Sequence, residues 1–142
     1  MAGRQQARRG QSLRRIGYGR ECLLIPGDLE SEDFCKSVIE KVITEFEKLD
    51  ILVNNAAVQF ECEKLEDITT AQLMKTFTTN IFSFFWLTKA ALPHFKKGST
   101  IINSTSVTAY RGTSNLIDYA STKGAIVAFT RSLALNLVDK GI

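Results

Sequence analysis

The stretch that decides the fold runs from residue 99 to residue 123 and reads Ser99-Thr-Ile-Ile-Asn-Ser-Thr-Ser-Val-Thr-Ala-Tyr-Arg-Gly-Thr-Ser-Asn-Leu-Ile-Asp-Tyr-Ala-Ser-Thr-Lys123. It opens with a short β-branched run, which predicts a strand, and continues through a polar loop. Its last residues open a segment that predicts a helix over 116–137. A strand followed by a helix is the repeating unit of an α/β fold.

Two earlier parts of the chain repeat this unit. Residues 22–26 and 49–53 are predicted strands, and each precedes a helical pattern. Ser31 is expected to cap the first helix, and Thr69 or Thr70 the second, which Pro93 ends. This alternation predicts a parallel sheet, in which ligands bind outside the carboxyl ends of the strands. Polar clusters follow all three strands, at Asp28, at Asn54-Asn55 and at Ser104 to Ser106. An active site is therefore expected at that edge.

Tyr119 and Lys123 are four residues apart, so a helix places both on one face. A free phenol titrates near pH ~10, and a neighbouring cation favours the phenolate, which is the form that general acid/base chemistry needs. The pair therefore predicts proton transfer. Taken alone, such a pair is more often an exposed polar pair on a helix surface.

The composition is that of one globular domain. The chain has 142 residues, of which 44% are hydrophobic and 23% charged. The most apolar run, residues 81–92, is too short to span a bilayer and contains Lys89, so it predicts a buried helix. The three cysteines lack metal-ligand spacing, which predicts reduced thiols, a cytoplasmic location and no metal site. His94 follows Pro93 near a helix end and is expected at the surface.

The net charge of +3 is concentrated at the start of the chain. Residues 1–20 contain six arginines and no acidic residue. We predict that 1–20 is a basic, poorly ordered segment that precedes a domain over 21–142. A basic arm of this kind is also compatible with nucleic-acid binding or with an organelle presequence.

From residue 21 onward the chain resembles the short-chain dehydrogenase/reductase family of nicotinamide-dependent oxidoreductases. Five motifs in the right order carry this resemblance, and together they are far more specific than any one of them. They are Gly27-Asp-Leu29, Leu52-Val-Asn-Asn-Ala-Ala57, Thr79-Asn-Ile81, the strand ending in Ser106, and Tyr119-Ala-Ser-Thr-Lys123. The segments 82–92 and 124–137 are similar to the bacterial branch of glucose and ribitol dehydrogenases. The resemblance implies an incomplete Rossmann-like three-layer parallel sheet.

The resemblance also assigns catalytic roles. It implies that Tyr119 is the general acid/base on the substrate oxygen, while hydride moves to or from NAD or NADP. It implies that Lys123 assists Tyr119 and holds the nicotinamide ribose, and that Ser106 hydrogen-bonds the reacting oxygen of a sugar- or polyol-like alcohol or carbonyl. Asn80 corresponds to the asparagine that kinks its helix and supports a proton relay to the lysine.

Further residues are assigned to cofactor binding. Asp28 resembles the carboxylate that accepts from the adenine amino group, with Leu29 beside it. Asn54 and Ala56 belong to a turn that braces the central strand and faces the cofactor. Taken alone, Asp28 is equally compatible with a helix-capping carboxylate and Asn54 with a strand-end turn residue. Ala57 replaces the usual glycine of this turn and slightly narrows the space beside the cofactor.

One expected motif is absent from the sequence. Family members begin with a strand and a Thr-Gly-x-x-x-Gly-x-Gly turn, whose backbone amides hold the cofactor pyrophosphate, and no part of this sequence has that spacing. The family's second strand and its last strands have no counterpart either. We therefore expect a partial chain. In the family's strand order, residues 22–26 correspond to the third strand and 51–53 to the fourth, with two strands between them. The strand at 22–26 is thus expected to lack its neighbours unless it pairs directly with 51–53.

Two other functions remain open from the sequence. One is a non-catalytic interaction protein that forms homo-oligomers through its long helices, with an aromatic surface of Phe77, Phe82, Phe85 and Trp86. Core burial is the competing explanation for most of these side chains. The other is nucleic-acid binding by residues 1–20, which ranks last. No membrane partner is expected.

Overall fold

The computed structural model describes residues 12–16 and 20–142, in which one or two strands are followed each time by one or two helices. The strands are β1 (Ser12–Ile16), β2 (Arg20–Leu24), β3 (Ile51–Asn54) and β4 (Thr100–Asn103). The helices are α1 (Glu32–Phe46), α2 (Thr70–Phe77), α3 (Ser83–Ala91), α4 (Thr108–Arg111) and α5 (Ile117–Leu137). A π-helical turn, Thr78–Phe82, joins α2 to α3. Short 3-10 turns lie at Leu65–Asp67, Leu92–His94 and Val138–Lys140.

The predicted helix caps are confirmed. Ser31 Oγ accepts the backbone N–H of Phe34 at 3.2 Å, and Thr69 Oγ1 accepts that of Gln72 at 3.1 Å. Each hydroxyl satisfies a backbone donor that has no partner within the helix, so both helices begin where the sequence predicts. Pro93 lies in the 3-10 turn that follows α3.

The parallel sheet consists of β3 and β4. Leu52 pairs with Ile101 and Asn54 with Asn103, so these four side chains share one face. Leu52 packs there with Cys35 and Ile39 of α1 and with Leu87 and Ala91 of α3. On the same face, Asn103 donates to Thr130 of α5 at 3.0 Å. Helices α1, α3 and α5 therefore all cover one side of the sheet.

The opposite face of this sheet is exposed. Ile51, Val53 and Ile102 are 57%, 55% and 48% exposed. Among the described residues the fold thus has two layers, a sheet and one helix layer, where the sequence predicted three. The missing layer is consistent with the incomplete fold that was expected.

The pairing of β2 differs from both predicted arrangements. It neither lacks a neighbour nor joins β3. Instead it pairs antiparallel with β1, from Ser12 opposite Leu24 to Ile16 opposite Arg20. Part of the segment predicted to be poorly ordered therefore forms a strand, because a nearby strand satisfies its backbone hydrogen bonds. Residues 1–11 and 17–19, with most of the predicted basic arm and its nucleic-acid hypothesis, lie outside the described residues.

A second core joins α3 to α5. Ile81, Phe84 and Ile126 are buried together, with Phe77 and Phe129 packed against them. This places the middle of α5 firmly against the helix that follows the π-helical turn. Across the part of the chain that the structure describes, no helix is both long enough and apolar enough to cross a membrane.

Candidate active site

Tyr119 and Lys123 lie in the first two turns of α5, at the carboxyl ends of β3 and β4. The Lys123 Nζ atom is 5.5 Å from the centre of the Tyr119 ring. Lys123 is only 2% exposed, and its Nζ donates to the backbone carbonyl of Ser104 at 2.9 Å. Burial lowers the pKa of the Lys123 ammonium below its ordinary value, since desolvation disfavours the charged form. The predicted pair is thus in contact, and its cation is held in place.

Three further hydrogen bonds join the strand ends to each other and to α5. The Ser104 amide donates to the Asn54 carbonyl at 2.9 Å, which extends the parallel ladder by one residue. Ser104 Oγ donates to Asn55 Oδ1 at 2.7 Å, and Thr105 Oγ1 donates to the Lys123 carbonyl at 2.9 Å. Two of the predicted polar clusters therefore meet beside Lys123.

Ser106 is half-buried and lies just before α4. Its Oγ accepts from the Thr108 amide at 3.2 Å and from Thr108 Oγ1 at 3.1 Å. A hydroxyl has one hydrogen and two lone pairs, so these bonds use the lone pairs and leave the hydrogen for another acceptor. Ser106 is therefore equipped to donate to a substrate oxygen.

Asn80 lies in the π-helical turn and is fully buried. Its Oδ1 accepts the Val58 amide at 2.8 Å, and its Nδ2 donates to the Val58 carbonyl at 2.8 Å and to Thr122 Oγ1 at 3.1 Å. Asn80 thus fixes the loop after β3 and contacts α5 one residue before Lys123. Among the described residues, the Asn80 side chain forms no hydrogen bond with Lys123 itself.

Replacing Asn80 by alanine is expected to lower the free energy of unfolding by about 2–4 kcal/mol, because Val58 loses the partners of both its amide and its carbonyl. Urea denaturation measures this change. The matched control is Asn136→Ala on the exposed side of α5, which should stay within about 0.5 kcal/mol of the parent. Equal effects of the two substitutions would contradict the anchoring role of Asn80.

Asn54 belongs to a polar network between the sheet and the helices. Its Nδ2 donates to Asn103 Oδ1 at 2.9 Å and to Thr88 Oγ1 at 3.3 Å. Its Oδ1 is buried and has no hydrogen-bond partner among the described residues. Asn54 therefore links β3 to β4 and to α3, as expected of a residue that braces the central strand. Ala56 follows on the exposed loop after β3.

Asp28 and Leu29 lie at the start of α1. Asp28 is exposed, and its Oδ1 accepts the Glu30 amide at 2.9 Å, which is the turn-forming use that the sequence left open. Glu30 in turn accepts from Thr79 Oγ1 at 3.3 Å, next to Asn80. Leu29 packs against the core around Leu52. Asp28 is therefore linked to the site indirectly, through Glu30, whereas Lys123 lies beside Tyr119 and bonds directly to Ser104 and Thr105.

The sequence interpretation missed Asp118, which is 2% exposed. Its carboxylate accepts from the Tyr119 amide at 2.8 Å, from Thr76 Oγ1 at 2.7 Å and from Gln72 Nε2 at 3.2 Å. An acidic residue in the first turn of a helix is a common pattern that signals only capping, so the sequence carried no sign of the contacts with α2. Within the described residues, no group of acidic, histidine or cysteine side chains is arranged to hold a metal ion.

The chain matches one family model over its full length and individual known proteins over most of it. The model of the short chain dehydrogenase family matches residues 1–142. An NADPH-dependent aldehyde reductase from Arabidopsis thaliana is 53% identical over 123 residues, which cover 87% of this chain and 43% of the relative. A glucose and ribitol dehydrogenase from Daucus carota is 49% identical over 123 residues, 87% of this chain and 42% of the relative.

Solved structures agree with these matches. A short chain dehydrogenase from Burkholderia cenocepacia in complex with NADP superposes with a TM-score of 0.79 at 29% identity. The match covers 83% of this chain and 48% of that one. The chain therefore spans less than half the length of the curated relatives named here.

Proposed function

This chain belongs to the short-chain dehydrogenase family of oxidoreductases, and from that premise we propose that it transfers hydride between a nicotinamide dinucleotide and an alcohol or carbonyl substrate, with Tyr119 as general acid/base. The observation that carries the proposal is the position of Tyr119 beside the buried Lys123 ammonium, at the carboxyl ends of two parallel strands. Ligands bind at this edge in open α/β sheets.

The residues present fit the nicotinamide end of such a cofactor. Lys123 uses one of its three ammonium hydrogens on the Ser104 carbonyl, and the other two are available to hydroxyl oxygens of a ribose. At the adenine end of the cofactor, Asp28 Oδ1 already accepts the Glu30 amide. Asp28 Oδ2 is left to accept from an adenine amino group. The sequence offers no glycine-rich turn for the pyrophosphate, so the fit is supported at the two ends of the cofactor.

The proton chemistry follows from the side chains. A bound nicotinamide ring supplies or accepts the hydride. The Tyr119 hydroxyl gives its proton to the substrate oxygen during reduction and takes it back during oxidation. Lys123 stabilises the negative charge that the phenolate carries in between, because the low dielectric around its buried ammonium strengthens that attraction. Ser106 donates its unused hydroxyl hydrogen to the same substrate oxygen and orients it.

The proposed substrates are sugars or polyols in their alcohol or carbonyl forms. This choice is supported by the similarity to a glucose and ribitol dehydrogenase and to an aldehyde reductase. We also propose a cytoplasmic location, because Cys22, Cys35 and Cys62 are all free thiols and such thiols persist in a reducing compartment.

Titration of the purified chain with NADH and NADPH tests the proposal. We expect at least one reduced nucleotide to quench the fluorescence of Trp86 or to change its own emission, and to be oxidised when an aldose is added. The activity should disappear with Tyr119→Phe. A chain that neither binds nor turns over either nucleotide would refute the proposal for these residues.

A second role, association with another copy of the chain, is supported by one surface. An open groove of about 560 Å³ lies between α3 and α5 and is lined largely by apolar side chains, among them Phe85, Phe129 and Leu133. Phe82 and Phe85 are 38% and 51% exposed, whereas Phe77 and Trp86 are half-buried against the two cores. The predicted aromatic surface thus reduces to Phe82 and Phe85. A monomer in light scattering would count against this role.

A further inference from the structure

Asp118 is a buried carboxylate beside the residue that we propose to be catalytic. It occupies the first turn of α5 and is 2% exposed. An ionised carboxylate loses much of its hydration energy on burial, so it must recover that energy from hydrogen bonds or from a counter-charge. Neither of the two ion pairs found in the described part of the chain includes Asp118. Its partners are instead three hydrogen-bond donors.

The donors come from two helices. Tyr119 donates its own backbone amide to Asp118 Oδ1 at 2.8 Å. Thr76 and Gln72, both on α2, donate to Oδ2 at 2.7 Å and 3.2 Å. Thr76 is completely buried, and its bond to the carboxylate is shorter than its bond to the Gln72 carbonyl at 3.0 Å. Asp118 therefore ties the start of α5 to α2.

The backbone carbonyl of Tyr119 is also linked, through one side chain, to the segment that follows α2. Thr122 Oγ1 donates to it at 2.7 Å and accepts from Asn80 Nδ2 at 3.1 Å. Thr76 and Asn80, four residues apart along α2 and the π-helical turn, thus reach the amide and the carbonyl of Tyr119 through one intermediate side chain each. Ordinary helical hydrogen bonds hold a backbone from within its own helix, whereas these two contacts fix Tyr119 relative to a neighbouring helix.

We propose that Asp118, acting with Thr76, is a positioning residue that fixes the backbone of Tyr119 against α2 and so sets where the phenol lies relative to Ser106 and Lys123. The proposal rests on the proposed role of Tyr119. Acid/base catalysis is sensitive to displacements of about 1 Å, so a loosened attachment should lower turnover more than it lowers nucleotide binding.

The test compares Asp118→Ala, Asp118→Asn and Thr76→Val in the full chain. In Asp118→Asn the amide side chain keeps an oxygen for the Tyr119 amide, and its nitrogen can donate to Thr76 Oγ1, which then turns its hydrogen to the Gln72 carbonyl. Alanine removes both contacts. Valine at position 76 keeps the volume of the threonine side chain and leaves Asp118 in place, but it removes the shorter of the two hydrogen bonds by which α2 holds Asp118. Ser121→Ala is the matched control, because Ser121 is exposed on α5 and its hydroxyl bonds only the Ile117 carbonyl among the described residues.

We expect Asp118→Ala and Thr76→Val to lower kcat by roughly 10- to 100-fold while the nucleotide Kd changes by less than about twofold. Asp118→Asn should keep most of the turnover that Asp118→Ala loses.

The second readout, the NMR signal of Tyr119, does not depend on activity. In chains labelled with ¹³C at the tyrosine ζ carbon, the resonance assigned to Tyr119 by its loss in Tyr119→Phe should shift in Asp118→Ala and Thr76→Val and stay near the parent position in Asp118→Asn and Ser121→Ala.

The two readouts separate the possible failures. If the parent chain shows no turnover, the proposed function fails, and the Tyr119 resonance alone decides whether Asp118 positions that residue. If Asp118→Ala does not fold, Thr76→Val gives the same decision with the carboxylate in place. An unmoved Tyr119 resonance in Thr76→Val, whether or not the variant is less stable, would overturn the proposal and leave Asp118 as a helix cap.

Discussion

Replacing Tyr119 by phenylalanine is expected to abolish nicotinamide-dependent turnover, with kcat falling by roughly 10²- to 10⁴-fold. The substitution removes the phenol oxygen, which is the atom that gives and takes the proton in the proposed mechanism. It keeps the ring that lies 5.5 Å from Lys123 Nζ. The packing of the first turns of α5 should therefore survive, and the nucleotide Kd should stay close to that of the parent. Steady-state kinetics and fluorescence titration measure the two quantities.

Tyr110→Phe is the matched control for this experiment. Tyr110 is 69% exposed on α4 and makes no contact with Lys123 in the described structure. Its substitution removes the same oxygen from a tyrosine outside the proposed site and should leave kcat unchanged. If Tyr119→Phe and Tyr110→Phe retained equal turnover, Tyr119 would not be the general acid/base.

Replacing Lys123 by methionine is expected to separate activity from stability. Turnover should fall roughly 100-fold or more, because the phenolate loses the cation that stabilises it. The substitution should not lower stability in the same way, because burying an ammonium is unfavourable and methionine fills similar space without a charge. We therefore expect the free energy of unfolding at pH 7 to hold or to rise, although the Ser104 carbonyl loses its donor.

The lowered pKa of Lys123 also predicts how the free energy of unfolding changes with pH. Burial lowers the pKa of Lys123 in the folded chain, whereas the unfolded chain has the ordinary value of 10.5. Below the folded pKa, both states carry the proton and the full cost of burying the charge is present. Between the two pKa values the unfolded state binds more protons, so stability rises with pH. The free energy of unfolding of the parent should therefore increase relative to that of Lys123→Met as the pH approaches 10.5.

Urea denaturation of both proteins at pH 7 and at alkaline pH measures this difference. Lys89→Met, on the exposed side of α3, is the control for removing a lysine whose charge is not buried. A difference between the parent and Lys123→Met that stays constant with pH would contradict a lowered pKa for Lys123.

The features that could be predicted from the sequence are those that depend on residues close together in it. The caps at Ser31 and Thr69 and the bounds of α5 depend on contacts within a few residues, and the structure places them as predicted. Strand pairing was harder to predict, because it joins residues far apart in sequence. The antiparallel partner of β2 and the bare sheet face of Ile51, Val53 and Ile102 follow from which strands are present to pair.

The site shows the same division. The pattern of Tyr119 and Lys123 predicted their contact, since four residues span one helical turn. The double contact of Asn80 with Val58 and the contact of Asp118 with Thr76 span 22 and 42 residues. No helical or strand period reaches that far. Residues that hold a catalytic group from another element are therefore visible only once the helices are packed.

The π-helical turn at Thr78–Phe82 has a consequence for tolerance to insertions and deletions. A π turn holds one residue more than an α turn, and one residue corresponds to about 100° of rotation around a helix axis. On its N-terminal side Thr76 faces Asp118, and on its C-terminal side Leu87 and Ala91 face Cys35 and Leu52. Deleting a single residue here would rotate one of these surfaces away from its partner. The length of this turn is thus as strictly specified as the identity of any side chain in it.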